Sequence, residues 1–172
     1  MGFGVGGEAG DQMADDRLQR ATALFNAGLR AQQEGEIERA IELYRGSIEI
    51  YPTAEGHTFL GWALSYQGKL DEAIEHCHRA IEIDPDFGNP YNDIGVYLMQ
   101  RQQFDEAIVW LERAKQAQRY EPRHFPYINL GNIYTQRGQL LKAIEEFTQA
   151  LKLAPWDERI RSQIAALSTK LN

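Results

Sequence analysis

Apolar side chains recur along the chain at the three- and four-residue steps of a single helical face, and they do so in paired blocks. Leu24, Ala27, Gly28 and Ala31 mark one such face, ended by Gly35. Ala40, Tyr44, Ser47 and Ile48 mark the next, closed by Ile50-Tyr51-Pro52 because proline cannot continue a helix interior. The pair then repeats. His57, Leu60, Gly61 and Leu64, broken at Gly68, precede Ala73, Cys77, Ala80 and Ile81, broken at Pro85. Tyr91, Ile94, Gly95 and Leu98 precede Ala107, Leu111 and Ala114. Tyr127, Leu130, Gly131 and Tyr134, broken at Gly138, precede Ala143, Phe147, Ala150 and Leu151, broken at Pro155.

The register of these blocks is regular. Gly28, Gly61, Gly95 and Gly131 each stand twelve residues before an alanine (Ala40, Ala73, Ala107 and Ala143), at steps of 33, 34 and 36 residues. A period near 34 residues with two helices per unit predicts an all-α solenoid, since no unit can bury its apolar face alone. The small residues belong where the two helices of a unit cross, and Tyr44, Cys77, Leu111 and Phe147 are expected to reach towards the next unit. Asp71-Glu72 and Asp105-Glu106 fall in the first turns of second helices, where they complement the helix dipole. Repeats are placed at about 21–53, 54–87, 88–123 and 124–157, within a single domain over 13–172. Ile160, Ile164, Leu167 and Leu171 share one face of a capping helix at about 157–171, with Asp157 as its N-cap. Residues 1–12 hold five glycines and are expected to be disordered, so that the first helix begins near Met13 and runs to Glu34.

The pairs Leu60-Gly61, Ile94-Gly95 and Leu130-Gly131, each followed by the alanine, large residue, alanine and proline positions above, resemble the tetratricopeptide repeat (TPR) family; Ala27-Gly28 is a milder variant. The likeness runs over about 21–155 in four tandem units. It implies a right-handed superhelical α-solenoid of four TPR helix pairs plus a C-terminal capping helix. One departure is local. The third unit has Arg119 where the closing proline would stand, and two extra residues put Tyr120-Glu121-Pro122 in a longer connection, expected to perturb the superhelical twist. The resemblance also implies a concave groove lined by the first helices, and hence a protein or peptide partner. The matching positions are Phe25, Asn26, Leu29 and Gln33 in the first unit, and Thr58, Trp62 and Tyr66, with Phe59 either in the groove or packed on a neighbouring helix, in the second. They continue with Asn89, Asn92, Asp93, Val96 and Gln100 in the third, and Phe125, Ile128, Asn129, Asn132 and Gln136 in the fourth. Aromatic groups there can anchor a partner, and the amides, expected to be exposed, can pair with an extended backbone. The Lys-Asn, Asn, Lys-Arg clamp, spread over three units, with which some TPR co-chaperones hold a C-terminal carboxylate is missing, since Phe25, Leu29, Phe59, Asn89 and Asp93 occupy its positions.

Composition narrows the partner. The 172 residues carry a net charge of −7 with the basic residues scattered, which argues against nucleic acid. No stretch approaches the roughly 18 apolar residues of a membrane span. Cys77 is the single cysteine, so no intrachain disulfide can form and a reducing, cytoplasmic location is expected.

Three motifs resemble chemistry. Gly2-Phe3-Gly4-Val5-Gly6-Gly7 fits a dinucleotide fingerprint in spelling only, because no strand precedes it. His76-Cys77-His78 reads as a buried thiol flanked by two surface imidazoles once placed on a helix, where neighbours diverge by about 100°. Asp84-Pro85-Asp86 opens like a calcium loop, but Asn89 and Gly95 stand where that loop needs Gly and Glu. No catalytic set, metal site or cofactor is therefore expected. The chain reads as an adaptor or scaffold for another protein. The alternative is a secretion-type or co-chaperone that keeps a client soluble, with a possible homodimer through its N-terminal helix.

Overall fold

The computed structural model describes residues 5–171, with side chains from residue 12. Those residues form nine helices: α1 (Val5–Gln33), α2 (Ile37–Ile50), α3 (Ala54–Tyr66), α4 (Leu70–Ile83), α5 (Asn89–Gln100), α6 (Phe104–Gln116), α7 (Phe125–Gln136), α8 (Leu140–Leu153) and α9 (Glu158–Thr169). No strand occurs among them. The chain falls into two compact units, divided between Ile83 and Asp84.

In the first unit α1 packs on α2, α2 on α3 and α3 on α4. Its core is built from Ala31, Ala40, Tyr44, Leu60, Leu64 and Cys77 with their alanine neighbours, all at most 3% exposed. Buried polar groups are satisfied: Ser47 Oγ donates to the Ala21 carbonyl at 2.8 Å, and the Tyr44 hydroxyl donates to Gln32 Oε1 at 2.7 Å. Thr53 caps α3 by accepting from the Gly56 amide.

Helix α1 begins at Val5, not near Met13, so residues 5–12 of the segment expected to be disordered are helical. Residues 1–4, with half of the Gly2–Gly7 motif, lie outside the described residues. Adding a turn to a helix that already exists needs no new nucleation. Beyond this extension, Arg17 anchors α1 by donating from Nε and Nη2 to the Ile50 carbonyl at 3.1 and 2.7 Å.

In the second unit α5 packs on α6, α6 on α7, α7 on α8, and α8 on α9. Ala143, Phe147, Ala150, Ala154, Ile160 and Leu167 form one buried cluster between α8 and α9. Asp157 caps α9 by accepting from the Arg159 amide at 2.9 Å. Lys115 bridges Glu112 at 3.1 Å and Glu146 at 3.3 Å, and its ammonium lies 4.6 Å from the centre of the Tyr127 ring.

The helix pairs close by one device. Tyr44, Cys77, Leu111 and Phe147 stand sixteen residues after the glycines and lie over their own repeat's glycine. A Cβ on Gly28, Gly95 or Gly131 would meet Tyr44 Cε1 at 2.5 Å, Leu111 Cγ at 2.6 Å or Phe147 Cε1 at 2.8 Å. On Gly61 it would meet the Ala73 carbonyl at 2.9 Å and Cys77 Sγ at 3.5 Å. Tyr44 also reaches Phe59 of the following repeat, with ring centroids 6.0 Å apart. The turn after each first helix needs a left-handed residue, supplied by Gly35, Gly68 and Gly138 at φ 79°, 73° and 69°. The third repeat uses Gln102 there, at φ 60°.

The long connection Ala117–His124 is ordered by pairing with the Asp84–Gly88 loop. Arg119 N donates to the Asp86 carbonyl and Gly88 N to the Arg119 carbonyl, both at 2.9 Å, forming an isolated parallel bridge between Phe87 and Arg119. The Arg119 guanidinium stacks 4.2 Å over the Phe87 ring and donates to Asp84 Oδ2 from Nε at 3.0 Å. Asp84 Oδ1 accepts from the Asp86 amide at 2.9 Å, so both carboxylate oxygens of the calcium-like motif are engaged within the protein. Tyr120, only 4% exposed, sits against Gly88, where a Cβ would stand 2.4 Å from its own.

Candidate functional site

In the first unit the expected groove positions divide into core and surface. Phe25 packs edge-on against Phe59 (centroids 5.3 Å, planes at 86°) and beside Tyr44 (5.6 Å), which makes Phe25 and Phe59 half-buried members of an aromatic triad. Leu29 is half-buried, while Asn26 and Gln33 are exposed. Thr58 does not line a groove: it is buried, and its hydroxyl donates to the Ala54 carbonyl one turn back at 2.8 Å. That back-bond satisfies the hydroxyl inside the core. Trp62 and Tyr66, one turn apart on α3, stack with centroids 4.2 Å apart; Trp62 is half-buried and Tyr66 is 64% exposed.

The same unit holds a histidine pair. His57 Nδ1 and His76 Nδ1 lie 2.9 Å apart, so one ring donates and the other accepts, and both cannot be protonated without breaking the bond. Burial pushes His57 down to about 4, helped by the neighbouring His76 and Arg79, and burial also lowers His76. His76 is therefore not the surface imidazole expected from the sequence, because α4 turns it onto α3. Cys77 is fully buried and His78 exposed. Among the described residues no three His, Cys, Asp or Glu side chains are placed to hold a metal ion.

In the second unit Asn92 is a further correction. It is buried rather than exposed, because Asn129, 37 residues on, donates from Nδ2 to its Oδ1 at 2.9 Å across α5 and α7. The pairing removes the penalty of burying an amide. Asn89, Asp93, Val96, Ile128, Asn129 and Asn132 are half-buried, and Gln100, Phe125 and Gln136 exposed. Asp93 receives a single long contact, from Asn92 Nδ2 at 3.5 Å. Burial pushes its carboxyl up to about 7, the Asn92 contact only partly opposing. Tyr120 stands close enough that burial and the Asp93 charge both raise its hydroxyl above the ordinary tyrosine range. The sequence gives no sign of Tyr120 beyond the two-residue insertion that carries it. Trp110 belongs to another surface, on α6, where Arg113 stacks 4.5 Å over its ring and 5.0 Å over Tyr91.

Sequence profiles of the tetratricopeptide repeat match residues 21–53, 54–87 and 86–155. The chain belongs to the tetratricopeptide repeat family, whose members are protein-interaction repeats. It is 28% identical over 140 residues, 80% of its length, to the mitochondrial import receptor subunit TOM70 of Rattus norvegicus, of which it spans 23%. It is 28% identical over 138 residues to the type IV pilus assembly protein PilF of Pseudomonas aeruginosa, spanning 55% of that protein. Its fold is similar to a solved structure of the Pseudomonas aeruginosa PilF, with a TM-score of 0.83 and 26% identity over 90% of this chain and 70% of that one. No described helix is long and apolar enough to cross a membrane.

Proposed function

We propose that the chain is an adaptor or scaffold that holds a peptide segment or helix of another protein against the first helices of its repeats, without catalysis or cofactor. The Trp62–Tyr66 stack carries the reading. Two large aromatics packed on each other, with one 64% exposed, leave apolar surface open on α3 that the fold itself does not use. In the second unit Asn132, Asn89 and Gln136 make no side-chain hydrogen bond among the described residues. They therefore keep donors and acceptors for a partner's backbone. The net charge of −7 speaks for a protein partner over nucleic acid, and the lone buried Cys77 for a reducing, cytoplasmic setting.

A second reading, an assembly or secretion chaperone for a client subunit, is favoured by the likeness to a pilus assembly protein. The exposed run of α1 over residues 12–20 could then serve a homodimer. Affinity purification with cross-linking identifies the partner, and binding of that partner is then compared across variants. Trp62→Ala is expected to weaken it by about 2 kcal/mol, roughly thirtyfold. Asn132→Ala should weaken it by about 0.5–1.5 kcal/mol. Trp110→Ala serves as the control. Loss of binding in folded Trp110→Ala with Trp62→Ala unaffected would move the partner to the other face.

A further inference from the structure

Asp93 differs from the other shielded acids of the second unit. Asp84 is held by Arg119, Glu146 by Lys115, and Asp157 by Arg159 together with its own helix cap. Among the described residues Asp93, half-buried on α5, has no arginine, lysine or histidine within ion-pair distance. A carboxylate offers about four acceptor positions. One is met here, at the outer limit of a hydrogen bond, by an amide whose own carbonyl is already committed to Asn129. The neighbouring Tyr120 hydroxyl forms no hydrogen bond among the described residues, and the ring beneath it is fixed against Gly88.

Removing an unpaired carboxylate from water is unfavourable, and two events relieve it: protonation, or arrival of a cation that brings its own donors. Burial, which raises the Asp93 carboxyl above the usual carboxylate range, favours the first of these. The second requires a ligand. Resting on the peptide-binding reading above, we propose that Asp93 is the recognition residue for a basic side chain, lysine or arginine, of the bound segment. The peptide backbone runs over the amides of α5 and α7, and its cationic head is received by Asp93 with Tyr120 at its flank. A point charge meeting an under-filled carboxylate in a shielded position gains more than the same pair at an open surface. An acidic residue at that place in the peptide would meet like charge, so the same group excludes acidic segments.

A random display library of 12-residue peptides, selected against the wild-type chain, tests this. The selected peptides are expected to share a lysine or arginine at one fixed place in their motif. Replacing that residue by glutamine should weaken binding to wild type about tenfold or more by calorimetry. For Asp93→Asn, nearly the same shape without charge, the replacement should change binding less than threefold. If the asparagine variant melts early, Asp93→Ser is used in its place. Selected peptides that depend on Trp62 or Asn132 but share no basic residue would overturn the Asp93 proposal and leave the groove standing. So would an equal loss on lysine-to-glutamine replacement in wild type and variant. A library that yields no binding peptide would overturn both readings.

Discussion

Gly88 offers a test in which two physical effects have opposite sign. Its backbone (φ −78°, ψ −24°) is right-handed helical, at the start of α5, so alanine there meets no backbone strain. By unfolded-chain entropy alone Gly88→Ala would be neutral or stabilising by up to about 1 kcal/mol. The packing says otherwise. The new Cβ would lie 2.4 Å from Tyr120 Cβ, 2.5 Å from Tyr120 Cγ and 2.9 Å from Ala117 Cβ, against about 3.5–4.0 Å for relaxed carbon contacts. Clearing it means moving the Tyr120 backbone by about 1 Å, because its Cβ cannot swing aside as a side-chain tip can. That movement pulls on the two 2.9 Å bonds joining Arg119 to Asp86 and Gly88. Overpacking of about 1–3 kcal/mol, plus one weakened hydrogen bond at about 0.5–1.5 kcal/mol, predicts a net loss of about 2–4 kcal/mol. Equilibrium urea unfolding followed by far-UV circular dichroism measures it. In a double-mutant cycle, adding Tyr120→Gly should relieve most of the alanine's cost, leaving only the 2.9 Å contact with Ala117 Cβ, with a coupling of at least about 1 kcal/mol. A Gly88→Ala protein as stable as wild type would refute the account of this connection.

Two further outcomes are expected. Gln102→Gly should stabilise the chain by about 0.5–1 kcal/mol in the same unfolding assay, because Gln102 is held at φ 60° where its three counterparts are glycines; a loss of stability would contradict the left-handed turn. Acidification should affect the two units in opposite directions. The folded His57 is depressed to about 4, so its contribution is full above about 6.5 and is lost as pH falls from there towards 4. The folded Asp93 is raised to about 7, so its contribution is full below about 4 and is lost as pH rises from there to 7. Protection factors from hydrogen exchange between pH 7 and 4.5 should fall for α3 and α4 and hold or rise for α5 and α7. Parallel changes in both units, or no response to His57→Gln and Asp93→Asn, would contradict these assignments.

The helices were legible because each is amphipathic with the same period, and the glycine-to-alanine spacing places the crossings without reference to anything distant. What escaped depends on contacts far apart in the chain. Asn92 looks like an open amide until Asn129, 37 residues on, arrives to satisfy it. Thr58 is a local case, decided by which way its turn of α3 faces. Phase decides such cases: a shift of one residue turns a helical position by about 100°, enough to exchange core for surface. His57 and His76 are 19 residues apart, each unremarkable alone, and only the packing of α3 on α4 makes them a pair. The start of α1 follows a different rule. Glycine counts weigh local preference, whereas an anchored helix extends past residues that could never begin one.

Tandem repeats ordinarily melt from their ends inward, because each unit leans only on its neighbours. The bridge between Phe87 and Arg119 changes that for the α5–α6 hairpin. It joins the chain just before α5 to the chain just after α6, so the hairpin is a closed ring and not an open segment of a line. Unzipping that begins at α9 and passes α7 then meets a clasp whose two bonds must open before either end of the ring can fray. The amide protons of Gly88 and Arg119, donors of those bonds, should accordingly exchange with solvent together, and α5 and α6 should be the last helices of the second unit to let go.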